Sequence, residues 1–351
     1  MRALAASNNP YGIIPPHLLN RVIQHGNEQQ RRRALTTLNL DDGFRGHAAR
    51  RQADTVHEYH ATDDGETPQR HIFDARHGMQ LPGEEVRSEG DPEVNDREVN
   101  EAYDDLGATW RFFREIFDRD SIDDDGMALL GTVHYGQEYQ NAFWNGQQMV
   151  FGDGDGEIFR PFTRALDVVA HELTHGVTEL TAGLAYSNQS GALNESISDV
   201  FGAMTAQYSA NQTAGEADWL IGAELLTESV QGKALRSMAQ PGSAYDDPVL
   251  GRDPQPGHMD EYVNTAEDNG GVHINSGIPN HAFYLIATAL GGYSWERAGH
   301  VWYDTLLDER LTPDADFATF ARLTIDNAQR RFDEEVVSAV REGWQGVGIN
   351  P

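Results

Sequence analysis

His171-Glu172-Leu173-Thr174-His175 decides the reading of this chain. The two histidines stand four residues apart. On a helix such residues share one face, so both imidazoles can reach one metal ion. Zinc takes neutral imidazole nitrogen at about 2.0–2.1 Å. The glutamate between the histidines is placed to take a proton from metal-activated water. The surrounding pattern is itself helical: Leu166, Val169, Ala170, Leu173, Val177 and Leu180 recur at helical spacing. Val168 and Thr178 flank the histidine face, so the helix is apolar nearly all round and is expected to be buried. Asp167 suits its positive end, and Gly183 is a natural terminator.

A catalytic zinc needs a third protein ligand and one open position. Working outward, Gly191-Ala192-Leu193-Asn194-Glu195-Ser196-Ile197-Ser198-Asp199 supplies the candidate. Glu195 and Asp199 share one face of a second helix, with Glu195 as third ligand. Asp199 can accept the outer N–H of one ligating histidine and Asn194 that of the other, which fixes tautomer and orientation. A solvated acidic face is the competing reading. Leu193, Ile197, Val200 and Phe201 predict a buried helix instead, and buried carboxylates need partners.

These segments resemble the thermolysin-like family of zinc endopeptidases, and others agree in the family's order. Asn141-Ala142-Phe143-Trp144-Asn145-Gly146 resembles the edge strand that binds substrate backbone, with Phe151–Gly156 following it. Thr181–Tyr186, Leu235–Met238 and Asp268–Gly277 resemble the segments carrying the active-site tyrosine, a substrate-binding arginine and a second catalytic histidine. The resemblance runs from roughly residue 70 to the C-terminus.

The resemblance implies an α+β fold: a β-rich N-terminal domain, a mainly α-helical C-terminal domain, and the zinc site in the cleft between them. It implies that Glu172 is the general base, that His273 and Tyr186 stabilise the oxyanion, and that Asp268 orients His273. Arg236 would grip a substrate carbonyl, while Asn141 and the backbone of Ala142 hold the peptide as an added strand. The family's specificity pocket maps onto Phe159, Phe162, Val168, Ile221, Leu225 and Leu235. All are apolar, which implies cleavage on the amino side of large hydrophobic residues. Protein or peptide substrates are the expected partners, a dedicated protein inhibitor is a further one, and a monomer is expected.

Composition bounds the setting. The chain has 351 residues, 56 acidic against 26 basic, and a net charge of −30. Lys233 is the only lysine. Such a surface repels nucleic acid and stays soluble by self-repulsion, which salt would screen. Adaptation to high salt is the expectation; a genome that favours arginine is the bland alternative. No run of 18 apolar residues is present, so no spanning helix is expected. Cysteine is absent, so disulfides contribute nothing.

The N-terminal stretch reads differently from the rest. Met1–Ser7 offers no apolar core of the kind a signal peptide has. Export by a non-classical route, or a cytoplasmic precursor, is therefore expected. Ile13-Ile14-Pro15-Pro16-His17-Leu18-Leu19 leads into a basic helix ending near Arg31-Arg32-Arg33, with a turn at Asp41-Asp42-Gly43 and a polar linker over Arg45–Ala53. This resembles the short propeptide of the protealysin-like branch, with its Pro-Pro-Leu-type motif interrupted here by His17. The expected division is residues 1–53 as propeptide, 54–186 as the β-rich catalytic domain ending in the zinc-binding helix, and 187–351 as the helical domain. Strands are expected around Val56, Tyr59 and His71–Phe73, a helix over Asn95–Phe117 and strands within Gly131–Val150. His57-Glu58-Tyr59-His60 lacks a helical pattern and is read as a decoy.

Calcium is where the resemblance thins. Asp167 and Asp218 match two of the family's five acidic double-site positions, but Ala206, Leu220 and Ala223 stand at the others. Two carboxylates are a poor cage for an ion wanting 6–8 oxygens, so the double site is expected to be lost. Asp153-Gly154-Asp155 and Asp123-Asp124-Asp125-Gly126 could bind calcium, with turns the favoured reading. Two other functions compete with the endopeptidase. A purely structural zinc site would close with four protein ligands, and only three converge here. An aminopeptidase would need a Gly-Ala-Met-Glu-Asn-type segment before the zinc motif, which is missing.

Overall fold

The computed structural model describes residues 11–47 and 67–351. A six-stranded sheet, ordered β1-β5-β6-β4-β2-β3, forms the first half. Its members are β1 (Tyr11–Gly12), β2 (Arg70–Asp74), β3 (Glu84–Ser88), β4 (Leu129–Val133), β5 (Ala142–Trp144) and β6 (Met149–Phe151). β4 is buried along its whole length because β2 and β6 pair with it in parallel on either side. Antiparallel pairing carries the sheet outward from β6 to β5 and from β5 to β1. The sheet edge on that side is therefore made by the N-terminal segment.

Two N-terminal helices, α1 (Pro16–His25) and α2 (Glu28–His47), follow β1. This corrects the expected single basic helix and the expected turn. Gly26 ends α1, and the Asn27 side chain accepts the amides of Gln29 and Gln30, so a new helix starts there. Arg31–Arg33 lie in the first turns of α2, and Asp41-Asp42-Gly43 lies inside it. The expected strands at Val56 and Tyr59, the decoy at His57–His60 and most of the Arg45–Ala53 linker lie outside the described residues.

Helix α3 (Arg97–Phe117) packs on the sheet; it begins two residues later than expected, where the Asp96 side chain caps the amide of Val99. The centre of the molecule is the pair α4 (Leu166–Leu180) and α5 (Asn188–Ser209), most of whose residues are buried. Just past the end of α4, Gly183 has a positive φ that lets its amide return to the Thr178 carbonyl. Four two-residue strands follow: β7 (Leu220–Ile221), β8 (Arg236–Ser237), β9 (Asp246–Asp247) and β10 (Gly251–Arg252). Helices then dominate: α6 (Asp268–Asn275), α7 (Gly277–Leu290), α8 (His300–Leu306), α9 (Phe317–Arg331) and α10 (Glu334–Gly346). Trp302 and Trp344 stack at 5.7 Å in their core. The predicted order, a sheet-containing half followed by a helical half, is what the chain adopts.

Candidate active site

α4 presents His171 and His175 on one face, and α5 brings Glu195 opposite them. The two Nε2 atoms lie 3.1 Å apart. Glu195 Oε2 is 3.6 Å from the first and Oε1 3.5 Å from the second. The outer nitrogens are held as expected: His171 Nδ1 is 2.8 Å from Asp199 Oδ1, and His175 Nδ1 is 2.8 Å from Asn194 Oδ1. The three groups are at most 1% exposed. Glu195 Oε2 and Glu172 Oε1 are buried without a hydrogen-bond partner. A buried carboxylate, Glu195, facing two imidazole nitrogens suits a divalent cation, and the two-nitrogen, one-carboxylate donor set suits zinc.

Electrostatics agree with that donor set. Burial pushes His175 down to about 3, so its ring is neutral and can donate a lone pair. Burial alone would raise Glu195, but the neighbouring imidazoles, His273 above all, hold it below its ordinary value. Burial raises Glu172 well above the usual carboxylate range, and the charge of Glu195 adds to this. The amides of Trp144 and Ile13 and the charge of Arg236 work the other way. Glu172 Oε2 accepts the Trp144 amide at 3.2 Å, tying the candidate base to β5.

Tyr186, in the loop between α4 and α5, and residues of the helical half complete the site. Tyr186 donates its hydroxyl to Glu195 Oε1 and lies 3.1 Å from His273 Nε2. Asp268 holds His273 twice, at the ring Nδ1 (2.7 Å) and at the backbone amide (2.9 Å). That double grip needs a tight turn, which Asn269, Gly270 and Gly271 make with positive φ. Burial opposes charge on His273, but Asp268 and Glu195 overcome it and raise the ring to about 9. Arg236, on β8, forms a forked pair with Asp199 at 2.7 and 2.8 Å. Burial would raise Asp199; the Arg236 charge and the His171 bond hold it well below the carboxylate range. Leu235 lines a small cavity beside this arginine, and Val168 is wholly buried in the first turn of α4.

Asn141 and Ala142 are already occupied. Ile13 donates its amide to the Ala142 carbonyl (3.1 Å) and Ile14 donates to Asn141 Oδ1 (2.9 Å). Asn141 Nδ2 donates back to the Ile14 carbonyl (3.3 Å), and Arg236 donates to the Ile13 carbonyl (3.3 Å). Gly12 makes this approach possible, because a Cβ there would lie 2.5 Å from Asn141 Nδ2. Farther along, Arg33 pairs with Glu138 and Glu157, and Asp41 accepts from Tyr139 and Asn141.

Two groups went unread in the sequence. Asn280 donates to Asp199 Oδ2 (2.8 Å), making Asp199 a junction of His171, Arg236 and Asn280. A lone asparagine within the apolar Gly277–Leu290 run was the available signal, since buried amides need partners. His17 is the other: it lines the cavity with Leu235, Arg236 and His273, and its Nδ1 is buried without a partner.

Comparison with known proteins gives the same answer from an independent direction. Residues 11–39 match the protealysin propeptide family, 30–179 the thermolysin metallopeptidase catalytic domain, and 182–349 the thermolysin metallopeptidase alpha-helical domain. An extracellular metalloprotease of Pectobacterium carotovorum subsp. carotovorum is 58% identical over 96% of this chain and 96% of its own length. The protease PrtS of a Photorhabdus strain is 49% identical over 98% of this chain and 93% of its own. The solved precursor of protealysin from Serratia proteamaculans superposes with a TM-score of 0.90 at 56% identity, covering 97% of this chain and 99% of that one. The chain belongs to the thermolysin family of zinc metallopeptidases and carries a protealysin-type propeptide.

Proposed function

We propose that this zinc endopeptidase is held as a closed precursor by its residues 1–53 and matures by cutting itself within the stretch Asn39–Ala53. The carrying observation is the set of bonds from Ile13 and Ile14 to Ala142, Asn141 and Arg236. A peptide substrate laid along the same edge would use the same donors and acceptors, so segment and substrate compete for one place.

Zinc held by His171, His175 and Glu195 would supply Lewis-acid polarisation of the scissile carbonyl and a water acidified towards neutrality. Glu172 takes that water's proton and delivers it to the leaving nitrogen. Tyr186 and His273 donate to the oxygen on which negative charge develops, and Asp268 keeps the His273 ring in place. Arg236 grips a substrate carbonyl while remaining pinned to Asp199. The buried apolar side chains of Leu235, Val168, Phe159, Phe162, Ile221 and Leu225 support cleavage before large hydrophobic residues. The division at 54–186 and 187–351 places the metal motif and the oxyanion histidine on separate domains.

Zinc is the metal of this reading, and the family's double calcium site is absent from it. Asp167 spends its oxygens on the amides of Gly222 and Val168, and the Asp218 side chain accepts from Leu220. A monomer acting outside the cell on protein substrates fits the extracellular relatives; a dedicated protein inhibitor is a further partner to seek.

The test follows masses of the purified full-length chain after adding zinc, with and without a chelator. Loss of the N-terminal segment only in the chelator-free sample is expected, together with cleavage of an end-blocked peptide before Leu, Phe or Ile. Trimming at equal speed in both samples overturns self-processing. The charge of −30 also supports salt adaptation. The melting temperature should rise between about 0.1 M and molar salt as self-repulsion is screened; a flat or falling value refutes it.

A further inference from the structure

Away from the active site, the sheet gathers a second set of metal-ligating side chains. His77 lies in the turn after β2, His134 just after β4, and Asp153 just after β6. His134 Nδ1 is 2.9 Å from Asp153 Oδ1, and His77 Nδ1 is 3.3 Å from Asp153 Oδ2. Ligands on a tetrahedral zinc with bonds near 2.0–2.1 Å stand about 3.3–3.4 Å from one another. One ligand atom from each of the three residues lies within 4.8 Å of the others, as it does for His171, His175 and Glu195. The arrangement around them also matches: His134 Nε2 is 3.1 Å from Asp96 Oδ2, as His171 is held by Asp199.

Backbone geometry is the second observation. His77 and His134 both adopt left-handed conformations, with φ of 58° and 53°. Such conformations are uncommon outside glycine and concentrate at functional sites. The two are fastened together, His77 donating its amide to the His134 carbonyl at 2.8 Å. His77 is 60% exposed, so water can complete a coordination shell.

We propose that His77, His134 and Asp153 form a second divalent-metal site that takes zinc, with Asp96 positioning His134. Two imidazoles and a carboxylate prefer zinc or its transition-metal neighbours over calcium. Bound there, the ion joins three loops that sequence separates. It also reaches the substrate edge: Gly152 and Gly154, on either side of Asp153, donate to the carbonyls of Asn141 and Tyr139. Metal at this site stiffens Asn141 and the β5 strand that follows it.

The rival occupant is a proton. Bonding to Asp153 raises His134 to about 9, so near neutrality the ring is an imidazolium between two carboxylates. Metal would displace that proton.

The experiment dialyses the full-length Glu172→Ala chain, which cannot digest itself, against about 50 µM zinc at about pH 8 in molar salt, and counts bound zinc. Two ions per chain are expected in this parent and one in His77→Asn. Asparagine tolerates the left-handed backbone, so that variant keeps its fold. Asp153→Asn should also bind one, and His25→Asn, which alters an exposed histidine elsewhere, should bind two. One zinc in the parent overturns the proposal, and so does an unchanged second zinc in His77→Asn, which would mark it as a surface ion.

Discussion

Replacing Glu172 by alanine should leave zinc bound and reduce peptide cleavage by about 10²–10⁴-fold, the usual contribution of a positioned acid–base group. The three metal-facing atoms belong to His171, His175 and Glu195, and Glu172 supplies none of them. Metal content by atomic absorption should therefore match the parent while turnover collapses. The variant should also remain full length when purified alone and be trimmed by added active enzyme. Activity within tenfold of the parent would remove Glu172 from the role of base.

Acid should loosen the N-terminal segment through His17. This ring, ordinarily near 6.5, is pushed down to about 4, first by burial and then by the charges of His273 and Arg236, against the pull of Asp268. Asp253 and Tyr245 line the same cavity. The sign is fixed: a base whose pKa falls on docking favours the docked state fully above 6.5. That preference is lost as pH drops through 6.5 towards 4. The loss is about tenfold per pH unit, up to about 300-fold in the docked-to-open ratio. A His17→Gln chain carries no such proton. The self-cleavage rate of the parent relative to His17→Gln should rise as pH falls below 6.5 and level off near 4. Dividing one rate by the other cancels the enzyme's own pH profile. A ratio constant across that range would exclude His17 as the trigger.

The parts of the site readable in the sequence were those whose chemistry dictates a spacing. Two histidines on one helical face, and a carboxylate pair on the next, could be placed because helix geometry alone decides which residues meet. Asn194 and Asp199 followed from the needs of the histidine outer nitrogens. The break between α1 and α2 was missed because Asn27 works through a local side-chain cap that hydrophobic periodicity does not register. Asp199 was read as a partner of one histidine only; its links to Arg236 and Asn280 come from elements far along the chain. His77 and His134 gave no signal, and Asp153 was read only within a turn that could bind calcium. Each sits on a different loop, and only the parallel pairing of β2, β4 and β6 brings the loops to one end of the sheet.

The position of β1 at the rim of the sheet has a consequence for the newly made protein. A bare rim strand invites pairing with other chains. While Tyr11–Ile14 are in place, the hydrogen-bonding groups of β5 are taken, and the chain can finish folding without a sticky border. If maturation removes them, as proposed, that border is uncovered at the moment the enzyme becomes competent. On the proposed reading, a strongly anionic surface would then keep one mature molecule from zipping onto the next and leave the edge free for peptides.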